Sequence, residues 1–329
     1  MSANADSVTV IVVNHGGGLH VLRCLACLAD QTLPPARILV IDNASTDGSA
    51  AACERAIAAD VRLDGLAEVW RFATNLGFAA ACNRGIYAAD TPLVALLNPD
   101  AFPEPEWLER LVAAQSAHPT CVAFGSRQML ADHPDVLDGI GDRYHLGGMA
   151  WRQGHGRSIR SDDLGDREIF SACAAAVLYR RDAVTAVGGF DEDFFCYCED
   201  VDLGFRLRLA GHHARYVPDA VVHHMGGASS RSDGCLAAAL GHRNLVWTLV
   251  KNMPGPLLAA SLPAHFLQTI LAAVVLARRG HAAAFVRAKL DAVRGFPNVW
   301  RKRRQVQASR VASVAAIWRA IDKGLVRIR

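Results

Sequence analysis

Neither of two common nucleotide-binding fingerprints occurs in this sequence of 329 residues. No G-x-G-x-x-G follows the first apolar run, so the usual dinucleotide signature is missing, and the absence of G-x-x-x-x-G-K-[ST] disfavours a P-loop enzyme. Charge is scarce: 20% of residues are charged and the net charge is +3, too little to argue for a nucleic-acid partner. No internal repeat is visible. The opening "MSANADSVTV" has neither a basic start nor an apolar h-region, so no signal peptide is expected. The nine cysteines are odd in number, scattered and set in apolar contexts, which speaks against a secreted disulfide framework and for a reducing cytosol. Cys24 and Cys27 have CxxC spacing, but no second pair follows at a zinc-like distance. Buried helix cysteines are the expectation there.

What is present is an apolar fraction of 51%, which suits a folded chain with one large or two smaller domains. Apolar runs alternate with helical patterns. "SVTVIVVN" is a strand ending at Asn14, and a helix follows from about Leu19 to Ala29. "ARILVIDN" is a second strand, ending at Asp42, and "ASTDGSAAACERAIA" is a turn entering a helix. "EVWRFAT", "GFAAACNRGIYAA" and "PLVALLN" continue as strand, helix, strand. Such alternation argues for an α/β protein with a mostly parallel, Rossmann-like sheet flanked by helices. Residues 126 to 170 read as irregular connections. A strand is expected at 171–179, a helix at 181–187, an acidic helix start at Glu199 and a strand at 214–223. Beyond about residue 236 the pattern is helical.

The apolar strands end on polar groups: Asn14, Asp42 and, after Asn98 and Pro99, Asp100. Further on, Glu199, Asp200 and Asp202 precede "LGFRLRLAG", and His223 and His224 close the last strand. Asn-Pro-Asp alone would pass for a turn. Ligands in open α/β sheets, however, sit outside the carboxyl ends of the strands. Several carboxylates and an imidazole gathered there would suit a hard divalent cation and a phosphate-bearing substrate.

Six segments, "VIVVNHGG", "VIDNASTDGS", "NLGFAAACNRGI", "LLNPDA", "GGFDEDFFCYCEDVDLGFRLRLAG" and "PDAVVHHMGGAS", stand in an order and spacing that resemble the inverting glycosyltransferases of family 2, with the GT-A fold, and in particular the bacterial rhamnosyltransferase-like group. The resemblance covers residues 8 to about 230, and "RNLVWTLVKNMPGP" also looks family-like. It implies that Asp100 is the surviving acid of an Asp-x-Asp motif whose first place is taken by Asn98, and that it holds Mg²⁺ or Mn²⁺ against the diphosphate of a sugar nucleotide. His224 would join it as a metal or diphosphate ligand, with the neighbouring His223 leaving the choice open. Asp42 matches the acid that meets the nucleotide base, with Asn14 and Asn43 nearby; Asn75, Gly77 and Asn83 match the nucleotide-side Asn-x-Gly segment. Relatives often carry Arg where this chain has Cys82, so Arg84 or another residue would make any phosphate contact. Asp200 would be the catalytic base, and Glu199 would position the acceptor.

The remaining charge is concentrated late. From Arg278 to Arg329 there are 14 Lys or Arg against two acids, Asp291 and Asp322. No formal charge falls between Lys251 and Arg278, and Leu257 to Ala277 is long enough to span a bilayer. Pro263, His265 and Gln268 count against a span. Basic amphipathic stretches with Trp300 and Trp318 favour a segment lying on an anionic cytoplasmic leaflet. The expected organisation is a GT-A catalytic domain over 1–235 and a helical, basic, membrane-associated region over 236–329. The expected activity is transfer of a sugar, rhamnose among the candidates, from a nucleotide-diphosphate sugar to a glycan or polyprenyl-linked saccharide, at the cytoplasmic face of the inner membrane. A nucleotidyltransferase-like or non-catalytic nucleotide-binding module is the alternative, and the oligomeric state is left open.

Overall fold

The computed structural model describes residues 5–226 and 234–324. Its centre follows from period-2 burial of apolar residues. In β1 (Val8–Asn14), Val8, Val10 and Val12 enter one core while Ile11 and Val13 enter the other. Such a strand must be covered on both faces. The same division recurs in β2 (Arg37–Asp42) and, two strands further on, in Leu93–Leu97.

In chain order, α1 (His20–Ala29) follows β1, α2 (Ser49–Ala59) follows β2, β3 (Ala67–Arg71) leads to α3 (Phe78–Ala88), and β4 (Leu93–Leu97) leads to a short β5 (Ala101–Pro103) and α4 (Trp107–Ala117). The core containing Val8, Val10 and Val12 also takes in Val21, Leu25 and Leu28 of α1 and Trp107, Leu108 and Leu111 of α4. The opposite core takes in Ala79, Cys82 and Ile86 of α3. Strands β4, β1, β2 and β3 lie side by side and parallel, with Asn14 level with Asp42 and Val12 level with Leu97. Three polar strand ends thereby reach one edge together.

Residues 126–170, expected to be irregular, carry strands instead. They are the end of β6 (Cys121–Leu130), then β7 (His133–Gly139), β8 (Asp142–Tyr144), β9 (Ala150–Arg152) and β10 (Arg167–Ile169). They are short, β7 is half exposed, and β8 and β9 form a separate two-stranded ribbon, so no apolar alternation announced them. β11 (Ala176–Arg180) runs antiparallel between β4 and β6. It begins later than expected because residues 173–175 line the cleft, where Ala175 O accepts from Asn98 N at 2.9 Å. α5 (Arg181–Ala186) and α6 (Glu199–Leu209) precede β12 (His213–His224), which pairs parallel with β6 and antiparallel with β5 and β10. All nine cysteines are free thiols, with Cys24 buried in α1.

Five helices follow: α7 (Gly234–Asn252), α8 (Gly255–Arg278), α9 (Ala282–Arg294), α10 (Phe296–Ala308) and α11 (Val314–Ala320). They are packed on the sheet domain through two apolar clusters. One joins Tyr144, Phe170 and Phe205 to Leu249, Met253, Leu257 and Ile317; the other joins Phe194 to Trp247, Ala292 and Val299. α8 is long and apolar enough to cross a membrane, yet its inward face is partly polar. Gln268 donates to His145 Nδ1 at 2.7 Å and His265 Nδ1 donates to Gly147 O at 2.8 Å. Its outward face is the greasy one, with Leu262, Phe266, Leu267 and Ile270 exposed.

Candidate active site

A cleft of about 910 Å³ opens at the carboxyl ends of β1, β2 and β4. One wall is a closed set of side chains. Asn43 Nδ2 donates to Asn75 Oδ1 (2.8 Å), and Asn43 Oδ1 accepts from Leu76 N (2.9 Å). His15 Nδ1 donates to Asn43 O at 2.9 Å, leaving Nε2 to accept from Asn75 Nδ2 at 3.2 Å. His15 stands in the segment "VIVVNHGG" but was not among the expected site residues. Gly77 has φ +86°, and a Cβ there would meet Phe195 at 2.6 Å, so only glycine permits this approach.

Asn14 and Asp42 are brought together but not onto the cleft surface. Asn14 Nδ2 donates to Asp42 Oδ1 (2.9 Å) and Ser49 Oγ (2.9 Å), and its Oδ1 accepts from Gly17 N (3.2 Å). Asp42 Oδ2 accepts from Ser45 N. Both side chains are buried and shape the two loops that roof them. Asn83 departs further from expectation. Its amide donates to Phe190 O at 2.9 Å and Glu192 Oε1 at 3.0 Å and accepts from Phe190 N at 2.8 Å. That consumes its bonding capacity in tying α3 to residues 190–192, away from the cleft lining. Arg84 is exposed and does not line the cleft either.

On the other wall, β5 pairs with β12 so that His224 lies opposite Ala101, the residue after Asp100. His224 Nε2 comes within 3.3 Å of Asp100 Oδ1 and of Asn98 Nδ2, while Nδ1 meets Asp138 Oδ2 at 2.8 Å. Strand alternation sends His223 the other way, to Glu104, so that of the two histidines it is His224 that lines the cleft. Gly227–Ser229 of the same motif lies outside the described residues. Burial opposes charge on His224, but its hydrogen bonds to Asp100 and Asp138 hold its pKa up at about 9. Burial likewise opposes charge on Asp138, and the hydrogen bonds of His155 and His224 together with the Arg152 guanidinium overcome it, keeping the carboxyl well below the usual range.

This donor set fits a divalent cation. Two side-chain donors converge, and the imidazole's far nitrogen rests on a buried carboxylate, the arrangement that orients metal-binding histidines. Among the described residues no group of three or more His, Cys, Asp or Glu side chains is placed to hold a metal. The described side chains thus offer such an ion two donors, Asp100 and His224.

Facing this wall is the N-terminus of α6. Asp200, half-buried, accepts from Val201 N at 2.8 Å and from Ala174 N at 3.1 Å. Glu199 is 95% buried, and its Oε2 meets no hydrogen-bond partner among the described residues. Burial, then the Asp200 charge, raises its pKa well above the usual value. Asp202, the third acid, is structural: it is fully buried with Arg206, Lys251 and Asn252, each at 2.8 Å. The stretch read as irregular supplies further lining: Asp138, Asp142, Trp151, Arg152 and His155. Its density of Gly, Asp, Arg and His was the one available signal. Burial and then the nearby Asp200 charge push Asp142 up to about 8.

A parallel sheet with an acid and an imidazole at its carboxyl edge, opposed by an acidic helix start across a substrate-sized cleft, defines a glycosyltransferase of the GT-A fold. The chain belongs to the family described as glycosyl transferase family 2, whose model matches residues 7–188. It is 33% identical over 261 residues to the N-acetylglucosaminyl-diphospho-decaprenol L-rhamnosyltransferase of Mycobacterium tuberculosis, covering 71% of this chain and 81% of that one. It is 29% identical over 223 residues to rhamnosyltransferase WbbL of Escherichia coli (64% and 80% of the two chains). Among solved structures, the mannosyltransferase PcManGT from Pyrobaculum calidifontis, in complex with GDP-Man and Mn²⁺, superposes with a TM-score of 0.55 at 18% identity, covering 97% of this chain and 89% of that one.

Proposed function

We propose that the protein is an inverting, metal-dependent hexosyltransferase, with rhamnose the first candidate sugar, acting on a hydroxyl of a polyprenyl-diphosphate-linked saccharide. The observation that carries this is the pairing of Asp100 and His224 with Asp200 across one cleft. Similarity to two rhamnosyltransferases, one named for a lipid-linked N-acetylglucosamine, supports the donor and acceptor classes.

Asp100 and His224 would hold Mg²⁺ or Mn²⁺, which when bound neutralises charge growing on the diphosphate. Asn43, Asn75 and Gly77 line the nucleotide side, with Asn14 and Asp42 shaping the loops behind them. Asp200 takes the acceptor hydroxyl's proton as that oxygen bonds to the anomeric carbon and the carbon–phosphate-oxygen bond breaks, inverting the centre. Glu199, buried with an unused oxygen, hydrogen-bonds a sugar hydroxyl. A base so placed has no purpose in a mere nucleotide-binding module. Residues 1–235 form the catalytic domain. Residues 236–329 rest on an anionic cytoplasmic leaflet through the exposed apolar face of α8 and its basic surroundings, bringing the cleft to a lipid-linked acceptor.

The test is release of nucleoside diphosphate from a panel of dTDP-, UDP- and GDP-sugars, with and without polyprenyl-diphospho-N-acetylglucosamine and Mn²⁺. Acceptor-dependent release from a deoxyhexose donor supports the proposal. Nucleotide binding without turnover of any sugar would refute it.

A further inference from the structure

The loop that delivers Asp200 is held in an unfavourable shape. Phe195, Tyr197 and Cys198 all have φ between +62° and +71°, the left-handed region that L residues other than Asn and Asp seldom adopt. Such residues persist only when their surroundings over-determine them. Local backbone bonds give part of the support: Phe195 N donates to Glu192 O at 3.1 Å, Cys196 N to Phe194 O at 2.7 Å and Asp202 N to Cys198 O at 3.0 Å, and Ala79 N reaches Phe195 O at 3.2 Å.

A further restraint comes from the helices after residue 234. The Asn244 amide of α7 is fully buried and donates to three loop carbonyls, Phe194 O at 3.1 Å, Cys196 O at 2.9 Å and Tyr197 O at 2.7 Å. Arg243, over the Trp247 ring, donates to Asp193 O (3.1 Å) and Phe194 O (3.0 Å). Lys251, also buried, pairs with Asp191 before the loop and with Asp202 after it, so one ammonium spans both sides of Glu199 and Asp200. Lys302 of α10 pairs with Asp191 and Asp193. Every one of these groups lies outside the matched family segment of residues 7–188.

We infer that Asn244 is a positioning residue for the reaction: by gathering three carbonyls of the Phe194–Tyr197 loop, it sets the place of Asp200, with Lys251 and Lys302 fixing the loop's two ends. The inference rests on the reading of Asp200 as the base. It makes the C-terminal helices part of the catalytic apparatus, whatever else they contact. An amide suits this post, because two N–H groups can serve a fan of carbonyls while a carboxylate would repel them.

The test compares Asn244→Ala with Ile317→Ala. The second variant opens a cavity in the same helical region, in the cluster of Phe170, Phe205 and Val201 that Cys198 packs against, and leaves the three Asn244 hydrogen bonds in place. The expected result for Asn244→Ala is turnover with acceptor lowered roughly 10–100-fold while calorimetric donor affinity stays within about twofold, the donor site being left intact. Ile317→Ala, at an equal or larger loss of melting temperature, keeps turnover near wild type. Lys302→Met, at a half-exposed site, serves if Asn244→Ala cannot be purified and should show a smaller fall of the same kind. Wild-type turnover in the variant measured, or an equal loss in Ile317→Ala, overturns the inference. Asp200→Asn run alongside separates the two claims: if it alone is inactive, the base reading stands and only the clamp fails.

Discussion

Replacing Asp200 by Asn is the sharpest perturbation of the proposed chemistry, and its cost has two separable parts. Both carboxylate oxygens accept from backbone N–H groups, Oδ1 from Val201 and Oδ2 from Ala174. An amide can keep only one of those bonds, because its NH₂ must then face the other donor. That mismatch costs about 1–3 kcal/mol of stability, which shows as a lowered melting temperature. The chemical part is larger. Loss of a general base slows transfer by roughly 10²–10⁴-fold, which at about 1.4 kcal/mol per decade raises the barrier by about 3–5 kcal/mol. Donor and metal affinity should hold, because neither Asp100 nor His224 touches this carboxylate. Single-turnover transfer to acceptor, donor calorimetry and a melting curve on one preparation resolve the two parts. A variant with a tenth or more of wild-type turnover refutes the role, and loss of donor binding would move Asp200 into the nucleotide site.

Asp100→Ala should abolish turnover and weaken Mn²⁺-dependent nucleotide binding in calorimetry, because one of the two converging side-chain donors is then gone. Asp138→Asn should lower metal affinity about 10–100-fold, read by Mn²⁺ titration, while metal-free nucleotide binding is unchanged. Asp142 stays protonated in the folded chain up to about pH 8 but ionises near 3.8 when unfolded. The folded state thus holds the extra proton, and stability falls as pH rises from about 4 to 8, by at most about 6 kcal/mol; Asp142→Asn should flatten melting temperature against pH over that window. Phe266→Ser with Ile270→Ser, both outward on α8, should cut recovery with acidic liposomes in flotation while leaving turnover on a soluble acceptor analogue unchanged.

The parallel half of the sheet was legible because its strands are buried on both faces and read as unbroken apolar runs, as in Leu93–Leu97. Strand ends followed from that, so Asn14, Asp42 and Asp100 could be found by position. What each side chain does at its strand end was not legible. Asn83 has a motif-like spacing, but its partners lie at residues 190 and 192, and only the folded chain brings them to α3. The acidic trio 199–202 looked uniform, yet helical geometry turns Asp202 inward to Lys251 while Asp200 faces the cleft. The strands between 133 and 169 stayed hidden because each is short and carries the charged side chains of the cleft or an exposed edge.

Asp138 is shared by three cationic or imidazole partners, Arg152, His155 and His224. Groups that meet on one carboxylate do not contribute independently. Removing Arg152 alone leaves two partners to compensate, and so does removing His155 alone, whereas removing both strands a buried charge beside His224. Single substitutions at 152 and 155 should therefore look mild, and the double substitution should exceed their sum. Change in this corner of the protein is then order-dependent: an exchange at Asp138 is tolerable only after, or together with, changes at the residues that lean on it.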